Sequence, residues 1–327
     1  MAVVNTPETE TGSAPELRLS RPPGKVGNSV FAGISTGAGI AIVVILGVVA
    51  GFLLLRSWPA LTASQAEYAE VGFLGGQNLG QYIAPLIFGT LLSSALALLM
   101  AVPVSIGIAL FISHYAPRRM AQGLGYLVDL LAAIPSVVYG MWGMAWLVPQ
   151  MEPLFTWLSD TLGFLPLFAD FQAPAKNTMS ASIVLAVMIL PIITATIREV
   201  FLQTPRLHEE ASLALGATRW EMVRMAVFPF GRSGIISASM LGLGRALGET
   251  MAVLMILSPG FQINFRLLQP GQHQTIAANI ANQFPEASGL GADVLIATGL
   301  ALFAITFAVN LIARWIISRR AEFSGAN

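Results

Sequence analysis

The chain has 327 residues, of which 55% are hydrophobic and 10% charged, and its 17 basic and 17 acidic residues leave no net charge. This composition is too apolar for an ordinary soluble domain, and it lacks the basic excess of a nucleic-acid-binding protein. Because there is no cysteine, disulfides, thiolate metal sites and cysteine nucleophiles are excluded.

Residues 1–28 are rich in Pro, Glu, Thr and Gly and predict a disordered tail. Six apolar stretches follow, each about as long as the roughly 20 residues that span a bilayer. We therefore predict an all-α integral membrane protein with one transmembrane domain, residues 29–320, and a short tail, residues 321–327. The predicted spans are residues 30–55, 87–113, 127–149, 179–197, 234–257 and 294–317.

The distribution of basic residues predicts that both termini are cytoplasmic, because Lys and Arg near span ends are retained on that side. In this orientation the outer segments hold only Arg56, Lys176 and Arg266. The inner segments hold Arg18, Arg21, Lys25, Arg118, Arg119, Arg198, Arg206, Arg219, Arg224, Arg232, Arg314, Arg319 and Arg320.

The cytoplasmic segment 198–233 is too polar to span and too apolar to be an open loop. Glu210, Ala211 and Ser212, then Gly216 and Pro229, predict a helix, a glycine turn, and a second helix stopped by proline. Gly216 can adopt the positive φ of a sharp turn. The segment is either a knob for a partner's groove or a hairpin packed on its own subunit.

Other patterns in the spans predict packing rather than chemistry. Gly244 and Gly248 have the i, i+4 spacing that lets membrane helices approach closely. Ser35 lies in a G-x-S-x-G pattern, but inside a predicted helix and without a histidine deep in any span. The three histidines have no ligand-like spacing, so we predict no metal site.

No P-loop surrounds either lysine, Lys25 or Lys176, so the chain is not expected to bind ATP itself.

The segment with Glu210, Ala211, Gly216 and Pro229 resembles the EAA loop of ABC importer permeases, with Ser212 where the family pattern has Ala. The resemblance implies that this coupling loop enters a groove of an ATPase subunit and transmits nucleotide-driven motion to the membrane.

Three further segments are similar to the C-type permease of phosphate-specific Pst importers. They read AIPSVVYG at residues 133–140, GLGRALGETMAV at 242–253 and TIAANIAN at 275–282. Met251 and Ala252 favour the C-type, because the sister A-type permease has Ala-Pro at this point. The resemblance covers most of the chain from the first span onward.

The resemblance implies a six-helix permease of the plasma, or inner, membrane that imports phosphate by alternating access. Its implied partners are an A-type permease, an ATPase dimer that uses ATP and Mg, and an extracytoplasmic phosphate-binding protein, besides membrane lipid. This chain is expected to hold no cofactor and to be no enzyme. The alternatives are a permease for sulfate or molybdate, a membrane hydrolase using Ser35, and a non-transporting scaffold or signalling subunit.

Arg245 and Glu249 are the two clearly mid-span charges, and they lie four residues apart in the predicted fifth span. Charges at this depth are costly, which makes such a pair a functional-site hypothesis. Arg donors suit phosphate oxygens, and an ionised Glu can accept from a protonated one. We predict that Arg245 lines the anion path and that Glu249 holds it or helps to gate. The alternative is an ion pair that only locks the helix to a partner permease.

Overall fold

The computed structural model describes residues 25–321, with side chains for residues 27–315. All regular structure in this range is helical. The predicted N-terminal tail lies outside the described residues up to residue 24, and its last four residues begin the first helix. The predicted C-terminal tail also lies outside them, except for Ala321.

Eleven helices are numbered in chain order, apart from short 3₁₀ turns. They are α1 Lys25–Thr62, α2 Gln65–Ala69, α3 Leu79–Tyr115, α4 Arg118–Ala132, α5 Ser136–Leu162, α6 Thr178–Leu202, α7 Arg206–Ala214, α8 Arg219–Leu247, α9 Met251–Ile256, α10 Ile276–Gln283 and α11 Leu290–Ala321.

The chain divides into two compact units between Gly51 and Phe52. The described part of the first unit is the beginning of α1. Its apolar side chains are exposed within this single chain, as Phe31 and Val43 illustrate. Such a helix, apolar all round, is typical of a membrane span.

Five helices are long and apolar enough to cross a membrane, namely α1, α3, α6, α8 and α11. The remaining predicted span, the third in chain order (residues 127–149), is not one straight helix. It falls on the bent pair α4 and α5, which meet at 91°. Pro135 stands just before α5, where a residue without an N–H fits a helix start. The prediction of six spans holds when this pair counts as one.

The core of the second unit lies where α3 and α8 pack against α6. Small residues, Ala97, Ala101 and Ala109, face it from α3, and Ile189 and Ile193 fill it from α6. Small side chains at this spacing let membrane helices approach closely, so dispersion contacts can replace lipid contacts.

Polar residues begin several of these helices. Asn78 accepts the N–H of Gln81 at 2.9 Å and caps α3. Asn177 accepts the N–H of Ser180 at 3.0 Å and caps α6. Thr275 caps α10 through the N–H of Ala278. Each cap satisfies a backbone donor that a helix start otherwise leaves unpaired.

Candidate functional site

The fifth predicted span, residues 234–257, is broken at the position of the candidate site residue Glu249. Helix α8 ends at Leu247, and α9 begins at Met251, with Gly248, Glu249 and Thr250 between them. The Glu249 side chain is 7% exposed, and its Oε1 accepts the N–H of Ala252 at 3.1 Å. Glu249 therefore stabilises the first turn of α9, where a carboxylate suits the helix dipole.

The break corrects the expectation that Arg245 and Glu249 share one face of a continuous helix. Arg245 lies in the last turn of α8, and Glu249 lies outside that helix. The side chain of Arg245 is half-buried. Within the described residues it has no hydrogen bond or ion pair, and it is not bridged to Glu249. Its charge is close enough to the Tyr139 hydroxyl to interact with it electrostatically.

The segments at 133–140 and 242–253 meet at the helix interface of α5 and α9. A Cβ on Gly140 would lie 2.8 Å from Cα of Ala252, and one on Gly143 would lie 2.7 Å from Cδ1 of Ile256. At Gly140 the nearest atom is backbone and cannot rotate away, so this approach requires glycine there. The third segment, 275–282, contains α10, which also packs against α9. The three segments that carry the resemblance are thus neighbours in space.

Tyr139 lies at the candidate site, and the sequence reasoning did not single it out as a site residue. Its hydroxyl donates to the carbonyl oxygen of Leu131 at 2.9 Å, across the bend between α4 and α5. The bond satisfies a carbonyl at the end of α4 and fixes Tyr139 beside Arg245. The signal available in the sequence was a tyrosine four residues after a mid-span proline.

The glycines of α8 that pack against another helix of this chain are not the predicted ones. Gly242 lies against Ile193, and Gly234 lies against Val200, both on α6. Gly244 and Gly248 are exposed, and no other described helix lies within 4 Å of a Cβ built there. Their packing role therefore stays a prediction about a partner chain.

A helix–turn–helix occupies the predicted coupling segment. Helix α7 carries Glu210 and Ala211, and Gly216 follows it with φ +88°, which strongly favours glycine. Thr218 begins α8 with a capping box: its hydroxyl accepts the N–H of Glu221, whose carboxylate accepts the N–H of Thr218 at 2.8 Å. The sequence therefore encodes both sides of the turn.

Pro229 does not stop the second helix, which was the prediction. Helix α8 continues through it to Leu247, and residues Val223–Val227 form one π turn just before the proline. A π turn shifts the backbone hydrogen bonds by one residue, which accommodates the N–H that proline lacks. The coupling segment is therefore continuous with a spanning helix.

The helix–turn–helix exposes apolar side chains and is tied to α3. Leu215 is 91% exposed, and Leu207 and Trp220 are also exposed. His114, at the end of α3, places its Nε2 at 3.4 Å from Oε1 of Glu209 on α7. An exposed apolar surface of this kind is typical of a docking site.

Among the described residues, no three His, Asp or Glu side chains come together as a metal site.

Comparison with known proteins assigns the family. The model of the family described as "Binding-protein-dependent transport system inner membrane component" matches residues 101–322. A solved structure of a bacterial ABC transporter involved in the import of the acidic polysaccharide alginate has a TM-score of 0.58 at 16% identity. The match covers 90% of this chain and 99% of that chain, and it shows a shared fold.

Curated relatives match along nearly the whole chain. "Phosphate transport system permease protein PstC 2" of Mycobacterium bovis is 46% identical over 301 residues, 90% of this chain and 93% of the relative. "Phosphate transport system permease protein PstC" of Mesorhizobium japonicum is 39% identical over 308 residues, 91% and 92% of the two chains. The chain belongs to the family of binding-protein-dependent transport system inner membrane components, in the branch of its PstC relatives.

Proposed function

We propose that this chain is the C-type transmembrane subunit of an ATP-driven importer of inorganic phosphate. The high identity to relatives named as phosphate transport permeases supports the substrate. The fold, a multi-pass bundle with a helix–turn–helix continuous with α8, supports the mode of action.

The observation that carries the proposal is the guanidinium of Arg245, which forms no hydrogen bond or ion pair with any residue of this chain that the structure describes. A buried or half-buried charge without a partner is costly, so a site that keeps one is built to receive an anion. One carboxylate oxygen of Glu249 accepts the N–H of Ala252, and Glu249 forms no ion pair with Arg245. Arg245 therefore offers its planar set of donors to phosphate oxygens.

The membrane topology and coupling follow from this function. Both termini lie in the cytoplasm, and so does the helix–turn–helix formed by α7, Gly216 and the start of α8. This helix–turn–helix enters a groove of the ATPase. ATP binding closes the ATPase dimer and moves Glu210, Ala211 and Gly216 with their helix. Helix α8 begins in this helix–turn–helix and runs without a break to Arg245. The motion can therefore reach Arg245 along one helix, as alternating access requires.

An ABC importer permease of this family works with an ATPase and a binding protein. The second membrane subunit would be an A-type permease, and the exposed faces of Gly244 and Gly248 would pack against it. ATP and Mg²⁺ would act on the ATPase, and this chain would hold no cofactor.

The competing functions make different predictions. A sulfate or molybdate permease would have to place a fully ionised anion near Glu249, whereas phosphate keeps a proton that a carboxylate can accept. A hydrolase would need Ser35 as nucleophile, but Ser35 lies within the uninterrupted helix α1. A scaffold or signalling subunit would bind the ATPase without supporting uptake.

The test is uptake by proteoliposomes that contain the complete transporter, with the binding protein outside and ATP inside. We expect ATP-dependent accumulation of labelled phosphate and no accumulation of labelled sulfate. A complex that hydrolyses ATP but accumulates neither anion would contradict the proposal.

A further inference from the structure

The C-terminal end of the segment between α9 and α10 packs against α3. Helix α9 ends at Ile256, and the chain up to Thr275 has no regular helix. A Cβ on Gly89 would overlap the carbonyl oxygen of Gln274, and the N–H of Ile276 donates to Thr90 Oγ1 at 3.0 Å. Gly89 is ten residues into α3, or about 15 Å from its start. Gln274 therefore lies well below the Leu79 end of this span.

Neighbouring helices satisfy the backbone of this segment. The Asn177 amide donates to the carbonyl of Leu268 at 2.8 Å, and the N–H of Met179 donates to the carbonyl of Leu267 at 3.1 Å. His273 Nε2 donates to the carbonyl of Asn264 at 2.8 Å. Irregular backbone at membrane depth is tolerated where protein covers it or where it lines a hydrated path, and in transporters it marks substrate sites.

A cavity of about 120 Å³ lies between this segment, α9 and α10. Its lining includes Val253 and Leu254 of α9, Gln274, and Asn282 of α10. A single water needs only roughly 10–15 Å³. The cavity therefore has room for several waters or for one small anion. Val253 lies four residues after Glu249, in the helix that follows the break at residues 248–250.

The side chain of Gln274 is free to bind a ligand. Gln274 is 3% exposed, and its amide forms no hydrogen bond with any residue that the structure describes. Because it lines the cavity, its donors and its acceptor are available to water or to a ligand there. Asn282, at the rim of the same cavity, is exposed and likewise forms no side-chain hydrogen bond within the described chain.

We propose that Gln274 and Asn282 form a second anion subsite, which binds hydrogen phosphate on its way to or from Arg245. The subsite extends the phosphate import proposed above and depends on it. An amide donates its N–H groups to phosphate oxygens and accepts the P–OH proton on its carbonyl oxygen. A fully ionised sulfate has no proton to give and leaves that carbonyl unpaired, so the subsite selects the protonated anion.

The test compares variants in proteoliposomes of the complete transporter. Gln274→Leu removes both hydrogen-bonding groups at similar volume, and Gln274→Glu keeps the polarity but adds a repelling charge. Gln262→Leu is the control, since Gln262 is an exposed amide of the same segment without a side-chain hydrogen bond among the described residues. The measurements are the uptake of labelled phosphate and the hydrolysis of ATP stimulated by the binding protein.

We expect both Gln274 variants to lower phosphate uptake about tenfold, since each loses or opposes a hydrogen bond to a charged ligand. ATP hydrolysis should change less than about twofold, and the control should match the unaltered transporter. Unchanged uptake in Gln274→Leu and Gln274→Glu would overturn the subsite. Uptake and hydrolysis that fall in equal proportion would show a structural role and would also overturn it. Failure of the unaltered transporter to accumulate phosphate would instead contradict the proposed function.

Discussion

Gly140 of α5 and Ala252 of α9 approach so closely that a Cβ on Gly140 would lie 2.8 Å from the Ala252 Cα. The contact holds the segment 133–140 against the helix whose first turn Glu249 caps. Helix α9 has only six residues and cannot be stable alone. Its position, and with it the position of Glu249, therefore depends on packing against α5.

Gly140→Ala should separate α5 from α9, because the nearest atom is backbone and cannot rotate away. Overpacking of this kind costs about 1–3 kcal/mol. We expect a lower thermal midpoint of the purified complex, measured by its loss of monodispersity on heating. Gly107→Ala is the matched control, since a Cβ there meets nothing within 4 Å. Equal midpoints for the two variants would contradict the contact.

Glu249 combines a capping role with a charge, and two substitutions separate them. Glu249→Ala leaves the N–H of Ala252 without its acceptor and should cost about 0.5–2 kcal/mol of stability. Glu249→Gln retains an oxygen for that N–H, so its thermal midpoint should stay near that of the unaltered complex. If the negative charge takes part in gating, Glu249→Gln should still lower phosphate uptake severalfold. A Gln variant with full uptake would leave Glu249 as a cap only.

Gly216→Ala tests the turn between α7 and α8. A left-handed residue with a Cβ costs roughly 1–2 kcal/mol, so the turn should distort. We expect severalfold less ATPase to co-purify with the variant, while the membrane level of the chain stays unchanged. Gly123→Ala, in open space on α4, serves as the control. Normal co-purification of the ATPase with Gly216→Ala would argue against coupling through this turn.

Much of the fold could be predicted from the sequence, because apolar length and glycine and proline chemistry are local signals. The six spans and the turn at Gly216 follow from them. The break at Gly248 could not be predicted, because GLGRALGETMAV reads as one helix until the packing of Gly140 and Gly143 on α9 is known. The prediction that Pro229 stops the helix was wrong for a similar reason, because a π turn in the preceding residues accommodates the proline.

The sequence could name candidate site residues but not their geometry. Arg245 and Glu249 stood out because charges are rare in spans, and that signal is local. Their separation, the place of Tyr139 beside Arg245, and the buried amide of Gln274 depend on contacts between segments more than 100 residues apart. Uncharged amides and tyrosines carry no comparable signal in one sequence.

The most direct test of the central claim is phosphate uptake by the Arg245→Gln transporter in proteoliposomes, with Arg118→Gln as an exposed-arginine control. The account predicts that Arg245→Gln lowers ATP-dependent uptake about tenfold or more, since charged hydrogen bonds to phosphate are lost, while the complex still assembles and hydrolyses ATP. Arg118→Gln should transport normally. Full phosphate uptake by an assembled Arg245→Gln complex would contradict the claim that this guanidinium lines the anion path.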